Sequence, residues 1–151
     1  MDERKRQIER GETILGIELG STRIKAVLID SYNEPIAQGG HTWENQLVDG
    51  VWTYSLEAIE EGLQAAFASL GEDVKTRYNV VLKRTKALAI SAMMHGYLAF
   101  DKEDNLLVPF RTWRNTMTEK AAEDLSNLFD YPVPERWSIS HLYQAILNRE
   151  E

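Results

Sequence analysis

Three short stretches hold residue types that do chemistry. The first is Glu18-Leu-Gly-Ser-Thr-Arg-Ile-Lys25, a tight turn with glycine, serine and threonine at its tip and an acid at its entrance. Backbone amides and hydroxyls at such a tip suit phosphate oxygens, because glycine lets an anion come close to the backbone. Glu18 is then placed to hold magnesium, largely through water. Lys25 either adds a positive charge near a nucleotide or simply sits on the exposed face of its strand. A plain hairpin turn has the same composition. A Walker loop is excluded, since no Gly-x-x-x-x-Gly-Lys-Ser/Thr occurs, and there is no Gly-x-Gly-x-x-Gly either.

The second stretch is Ile90-Ser-Ala-Met-Met-His-Gly96, where a buried strand gives way to a turn. There His95 can hydrogen-bond a hydroxyl and Met94 can pack on the apolar face of a sugar, or both can be structural. The third is Trp113-Arg-Asn-Thr116. An indole for C–H groups beside a guanidinium and an amide for hydroxyls is a common way to hold a sugar, and equally a common packing arrangement. Trp52 carries the same two readings. His41 and His141 stand alone and read as structural.

These stretches need elements to hold them in place. Thr13–Leu19, Ile24–Asp30 and Ile36–Trp43 are short, apolar and joined by turn residues, which predicts an antiparallel three-strand meander. Residues 45–51 read as a loop with Asp49-Gly50 at its tip. A long helix follows Ser55, with Leu56, Ile59, Leu63, Phe67, Leu70 and Val74 on one face. Lys86–Ala92 is a further buried strand, entered from a helix and so parallel to its neighbour. Residues 97–101 and 106–110 flank a turn over 102–105 and predict a hairpin. Thr116-Met-Thr-Glu119 has the form of a capping box. The helix it opens carries Ala122, Leu125 and Phe129 and stops at Tyr131–Pro134. A last helix starts at Ser138 or Ser140 and runs through Asn148. With no repeat or linker, the order predicts one α/β domain with a mixed sheet.

Bulk properties remove several function classes. The 151 residues suffice for one core-forming domain. A net charge of −7 argues against a nucleic-acid partner. With no cysteine, disulfides, thiolate catalysis and cysteine–zinc sites are out, which fits a cytoplasmic location. No apolar run approaches the roughly 20 residues that span a bilayer. Residues 1–12 mix acids and bases and read as a charged, solvated helical extension ahead of the domain over 13–151.

Taken together, the three stretches resemble a known family. The first is similar to the leading phosphate loop of the actin, heat-shock chaperone and hexokinase superfamily, Asp-x-Gly-Ser/Thr-x-x-x-Lys/Arg, with Glu18 in place of the Asp. From about Ile14 to Asn148 the chain resembles the N-terminal lobe of the FGGY carbohydrate kinases, the group of xylulokinase, ribulokinase and glycerol kinase. Ser91–Gly96 looks like the Gln-Met-His-Gly corner whose Met and His contact the sugar in that family. The family pattern Pro-x-x-x-Trp-x-Asp-x-Arg matches Pro109-Phe-Arg-Thr-Trp113-Arg-Asn115-Thr-Met117, with Asn115 for Asp and Met117 for Arg.

The resemblance implies a ribonuclease H-like, actin-like ATPase domain with a mixed five-stranded sheet and flanking helices. It implies transfer of the ATP γ-phosphate to a sugar or polyol hydroxyl, with ATP and magnesium as cofactors. Gly20, Ser21, Thr22 and Lys25 are then the phosphate-side residues and Glu18 the magnesium side. Met94, His95, Trp113, Arg114 and Asn115 face the sugar. The family's general base lies in a second, ATP-binding lobe beyond this length, so no catalytic residue is assigned here and the chain alone is expected to be inactive. A surface that a second lobe would cover makes homodimers an expectation as well. An ATPase or regulatory protein without a sugar substrate, and a non-enzymatic interaction module, are the rival readings.

Overall fold

The computed structural model describes residues 3–150. In chain order the elements are α1 (Glu3–Arg10), β1 (Ile14–Leu19), β2 (Arg23–Ile29), β3 (Pro35–Thr42), β4 (Gln46–Val48), β5 (Val51–Thr53), α2 (Leu56–Tyr78), β6 (Ala87–Ala92), α3 (Glu119–Phe129) and α4 (Ser138–Asn148). They fall into two compact units, where the sequence predicts a single domain. One holds the residues up to 44 with 56–93, the other 45–55 with the residues from 94 onward.

The first unit is a mixed sheet in the order β3-β2-β1-β6. Strand β1 pairs antiparallel with β2 and parallel with β6, as the sequence predicts. This sheet has four strands among the described residues rather than the expected five. Among the described residues nothing pairs with the outer edge of β6, whose six residues are all exposed. The sequence reads β6 as buried because it is apolar, but an apolar strand becomes buried only if a neighbour covers it.

On β2, Ile24, Ala26 and Leu28 alternate inward and are fully buried, the period-two pattern of a half-covered strand. Helix α2 covers that face. Its buried stripe is Gly62, Ala66, Leu70 and Val74: of the predicted face Leu70 and Val74 are buried, whereas Phe67 is 43% exposed. Small residues take the contact because the helix lies close to the sheet. A Cβ on Gly39 would sit 2.5 Å from the Ala66 carbonyl oxygen, and one on Gly62 would sit 2.6 Å from Ile24 Cδ1.

Helix α1 forms where the charged extension is predicted, but one face of it is docked rather than solvated. Ile8 and Gln7 are 2% and 4% exposed. The Ser31 amide donates to Gln7 Oε1 (2.9 Å), and Arg4 Nε donates to Asp30 Oδ2 (3.2 Å). Asp30 Oδ1 also accepts from the Tyr32 and Glu34 amides, both at 3.0 Å. Burial pushes the Asp30 carboxyl up, but these amides and Arg4 outweigh it and hold the group below its ordinary value. Gly11 ends the helix at φ 70°, with amide bonds from Gly11 to Ile8 and from Glu12 to Gln7, a Schellman stop that favours glycine.

In the second unit, residues predicted as a loop form the β4–β5 hairpin. Asp49 and Gly50 both have positive φ, 49° and 81°, as a two-residue type I′ turn requires. The hairpin predicted over 97–110 is present as two isolated bridges, Tyr97 to Arg111 and Phe100 to Leu106. The capping box does not form. Helix α3 starts at Glu119, and Thr118, not Thr116, precedes it without a side-chain cap. The Thr118 hydroxyl donates instead to the Glu135 carbonyl at 2.6 Å. Ala121, Ala122 and Leu125 are buried, whereas Phe129 is exposed.

Docking of α1 has a measurable consequence. Ile8→Ala is expected to lower unfolding stability by about 2–4 kcal/mol, read from urea denaturation. A freely solvated helix would give a change near zero.

Candidate functional site

In the first unit, Glu18 is the last residue but one of β1 and stands in register with Lys25 on β2 and with Ser91 on β6. Lys25 Nζ lies 3.0 Å from Glu18 Oε2, and both side chains are half exposed. Such a surface pair contributes well under about 1 kcal/mol, so it yields readily to a stronger partner. Both residues border a shallow groove of about 310 Å³ on the bare sheet face, with Ile17, Val27, Ile90 and Ser91 in its lining.

The Gly20–Thr22 turn is held from outside by Trp43. The indole Nε1 donates to the Gly20 carbonyl at 2.8 Å, and the Trp43 amide donates to the Thr22 carbonyl at 3.2 Å. The Gly20 amide closes the turn onto the Arg23 carbonyl at 3.1 Å. A Cβ on Gly20 would lie 2.8 Å from that oxygen, so the turn needs glycine here. Ser21 and Thr22 are exposed at the tip.

In the second unit the sugar-side candidates separate into two places. Met94 is 74% exposed. His95 has φ 62°, a left-handed conformation uncommon for histidine. Its ring stacks on Trp137 at 6.1 Å and 10°, and Ser138 Oγ donates to the Gly96 carbonyl at 2.8 Å. Trp113, Arg114 and Asn115 instead border a cavity of about 460 Å³ with Thr116, Glu135 and Arg136. Met94 and His95 are not in that lining.

Within this segment the roles differ. Trp113 is 45% exposed, and the Arg114 guanidinium lies 3.7 Å from the centre of the Trp52 ring, a cation–π contact. Asn115 is buried, and its amide is fully used. Its Oδ1 accepts from the Trp52 amide (2.9 Å), and its Nδ2 donates to the Trp52 and Thr112 carbonyls (2.8 and 3.0 Å). Asn115 therefore braces β5 against this segment, and Trp52 is the residue it holds. Sequence reasoning passed over Glu135, Arg136 and Trp137, seeing in Tyr131–Pro134 only a helix stop. The signal available was an acid, a base and an aromatic standing together between two helices.

His141 is fully buried against Tyr97, ring centres 5.9 Å apart. Burial, reinforced by the positive charge of Arg111 and opposed by Glu150, pulls its pKa down to about 4. Arg111 is itself buried and pairs with Glu150 at 2.5 Å.

The glycine turn between two antiparallel strands, with a helical crossover to a parallel strand, defines the class: an α/β domain with a mixed sheet. The same fold is seen in a xyloylose kinase from Brucella ovis, with a TM-score of 0.76 at 20% identity over 91% of this chain and 30% of that one. It recurs in a xylulose kinase from Rhodospirillum rubrum, with a TM-score of 0.71 at 16% identity over 93% of this chain and 30% of that one. In sequence, the chain is 25% identical to the xylulose kinase of Bacillus subtilis over 134 residues, 83% of this chain and 26% of that protein. Residues 13–135 match the N-terminal domain of the FGGY family of carbohydrate kinases. The chain belongs to that family and spans about a quarter of the length of the curated relative. Helix α1 lies ahead of the matched residues.

Two outcomes follow from this geometry. Asn115→Asp, which restores the residue of the family pattern, is expected to destabilise the chain by about 1–3 kcal/mol at pH 7, because a carboxylate cannot donate to the two carbonyls. Urea midpoints check this. For His141, the unfolded side chain takes up its proton near 6.5 and the folded one only near 4. Its contribution is fully present above pH 6.5 and is lost as pH falls toward 4, with a slope no steeper than about 1.4 kcal/mol per pH unit. Relative to a His141→Phe variant, the parent chain is expected to lose more stability between pH 7 and pH 5.

Proposed function

We propose that this chain is the N-terminal domain of an ATP-dependent carbohydrate kinase, which transfers the γ-phosphate of ATP to a hydroxyl of a sugar or polyol. The observation that carries the reading is the match of residues 13–135 to the N-terminal domain of the FGGY carbohydrate kinases. The relative's name makes xylulose the first substrate to try.

The residues present suit the two substrates. Gly20, Ser21 and Thr22 form a braced turn, and its exposed tip carries the Ser21 and Thr22 hydroxyls, which suit phosphate oxygens. Magnesium arriving with ATP would be held by Glu18, and it would supply neutralising charge at the phosphate oxygens. One carboxylate is enough, because magnesium takes its other ligands from phosphates and water. Lys25 is the adjacent cation for the same anion. Trp113 offers an exposed indole for the C–H face of a sugar, and Arg114 and Asn115 shape the cavity beside it, Asn115 by bracing rather than by contact. The left-handed backbone at His95 places its ring on Trp137 and fits a residue kept for a ligand. No residue of this chain is assigned as the proton acceptor.

The test is coupled ADP release by the full-length protein with magnesium, across ketoses, pentoses and polyols. A rate that rises and saturates with one sugar is expected. ADP release indifferent to every sugar would replace this reading with that of an ATPase. Glu18→Gln is expected to raise the magnesium concentration for half-maximal rate by about tenfold, about 1.4 kcal/mol of lost binding.

A further inference from the structure

We propose that Glu135 sets substrate specificity in the sugar site, its carboxylate accepting hydrogen bonds from hydroxyls of a neutral sugar whose C–H face rests on Trp113. This rests on reading the Trp113 cavity as the sugar site of a carbohydrate kinase. Nothing in the family pattern or the sequence motifs assigns Glu135 a role.

The first observation is an unmet need. Glu135 lines the cavity, and its Oε2 is shut off from solvent with no hydrogen-bond partner. An ionised carboxylate has only acceptor sites, about four of them, and leaving them empty in a buried place is costly. The neighbouring donors are committed elsewhere. The Asn115 amide is used up by Trp52 and Thr112. The Thr118 hydroxyl goes to the backbone carbonyl of Glu135, not to its carboxylate. Arg114 lies over the Trp52 ring. Among the described residues, no ion pair joins Glu135 to Arg114 or to Arg136, though both line the same cavity. No donor of the protein is bonded to Oε2, and the cavity that Glu135 lines is the side from which a ligand hydroxyl would approach the carboxylate.

The second observation is that the group is held in place. Thr118 Oγ1 pins the Glu135 carbonyl at 2.6 Å, and Ser140 Oγ and the Trp137 amide both donate to the preceding Pro134 carbonyl at 2.9 and 3.2 Å. A backbone fixed on both sides costs little more to order when a ligand arrives. The third is size and charge. About 460 Å³ is in the range of single small-molecule sites. Two guanidinium groups against one carboxylate disfavour a cationic ligand, and the group seated against Glu135 itself has to be a neutral donor. A neutral polyol supplies hydroxyl donors to Glu135 and acceptors to Arg136, which lines the same cavity.

The experiment uses the full-length protein and compares it with Glu135→Gln and Glu135→Asp, reading KM for sugar and for ATP separately. Glu135→Gln is expected to raise KM for the preferred sugar about tenfold, the loss of one charge-assisted hydrogen bond. KM for ATP stays within about twofold and the thermal midpoint within a degree or two. A deoxy analogue lacking the contacted hydroxyl is expected to bind parent and Gln variant equally, a coupling that a merely structural glutamate would not show. Should the Gln variant fold poorly, Glu135→Asp, which keeps the charge, gives the same comparison. Unchanged sugar KM in an active enzyme overturns the Glu135 assignment alone. A parent enzyme that saturates best with a sugar acid overturns the neutral class. No sugar-dependent ADP release at all removes the kinase reading and this inference with it.

Discussion

Helix α2 can lie on the sheet only where two glycines let it. Gly39 on β3 and Gly62 on the helix each stand where a methyl group would strike a neighbour, backbone in the first case and the Ile24 side chain in the second. The small stripe of Gly62 and Ala66, continued by Leu70 and Val74, is therefore the contact surface. Because the helix comes this close, Ile24, Ala26 and Leu28 are sealed beneath it. Their burial fixes which face of β2 is inward, since a slip of one residue would turn all three to water. That choice sends Lys25 to the opposite face, beside Glu18. The polar pair at the groove is thus a by-product of how the apolar side packs.

The second unit is organised about the peptide of Trp52. Its carbonyl accepts from Asn115 Nδ2 and from both the amide and the hydroxyl of Thr112, and its amide donates to Asn115 Oδ1. Asn45 adds a bond to the Thr112 hydroxyl at 3.0 Å. These bonds tie the β4–β5 hairpin to the Trp113 segment, and the Arg114 guanidinium closes over the indole of the same residue. A segment with no helix or strand of its own is made rigid in this way, which a binding wall requires. The cost is that Asn115 has nothing left to offer a ligand.

Around this wall the polar groups are unevenly satisfied. Thr118, Ser126, Ser138 and Ser140 each give their hydroxyl to a backbone carbonyl, and so brace the irregular chain between the helices. Glu135 Oε2 has no such partner. Asn45 Oδ1, two Arg111 nitrogens and both His141 ring nitrogens are buried without a partner as well, but of these residues only Glu135 lines the Trp113 cavity.

The sequence by itself determined the four strands of the sheet, the long helix, the two last helices and the glycine turn. Each is set by local pattern: period-two alternation in β2, turn residues at Gly20-Ser21-Thr22, and an apolar helical period after Ser55. It also carried the family, through motifs whose residue types and order are specific only in combination. What tertiary structure decided were the choices among partners. The α2 face turned to small residues because close approach outweighed bulk. Thr118 rather than Thr116 came to precede α3, and its hydroxyl went to Glu135 instead of capping the helix. The charged α1 docked because Asp30, Ser31 and an apolar floor awaited Arg4, Gln7 and Ile8. Asn115, the residue type best suited to a sugar hydroxyl, was drawn to the Trp52 peptide. A hydrogen-bonding group goes to the nearest unsatisfied partner, and which partner is nearest is settled only by residues far away along the chain.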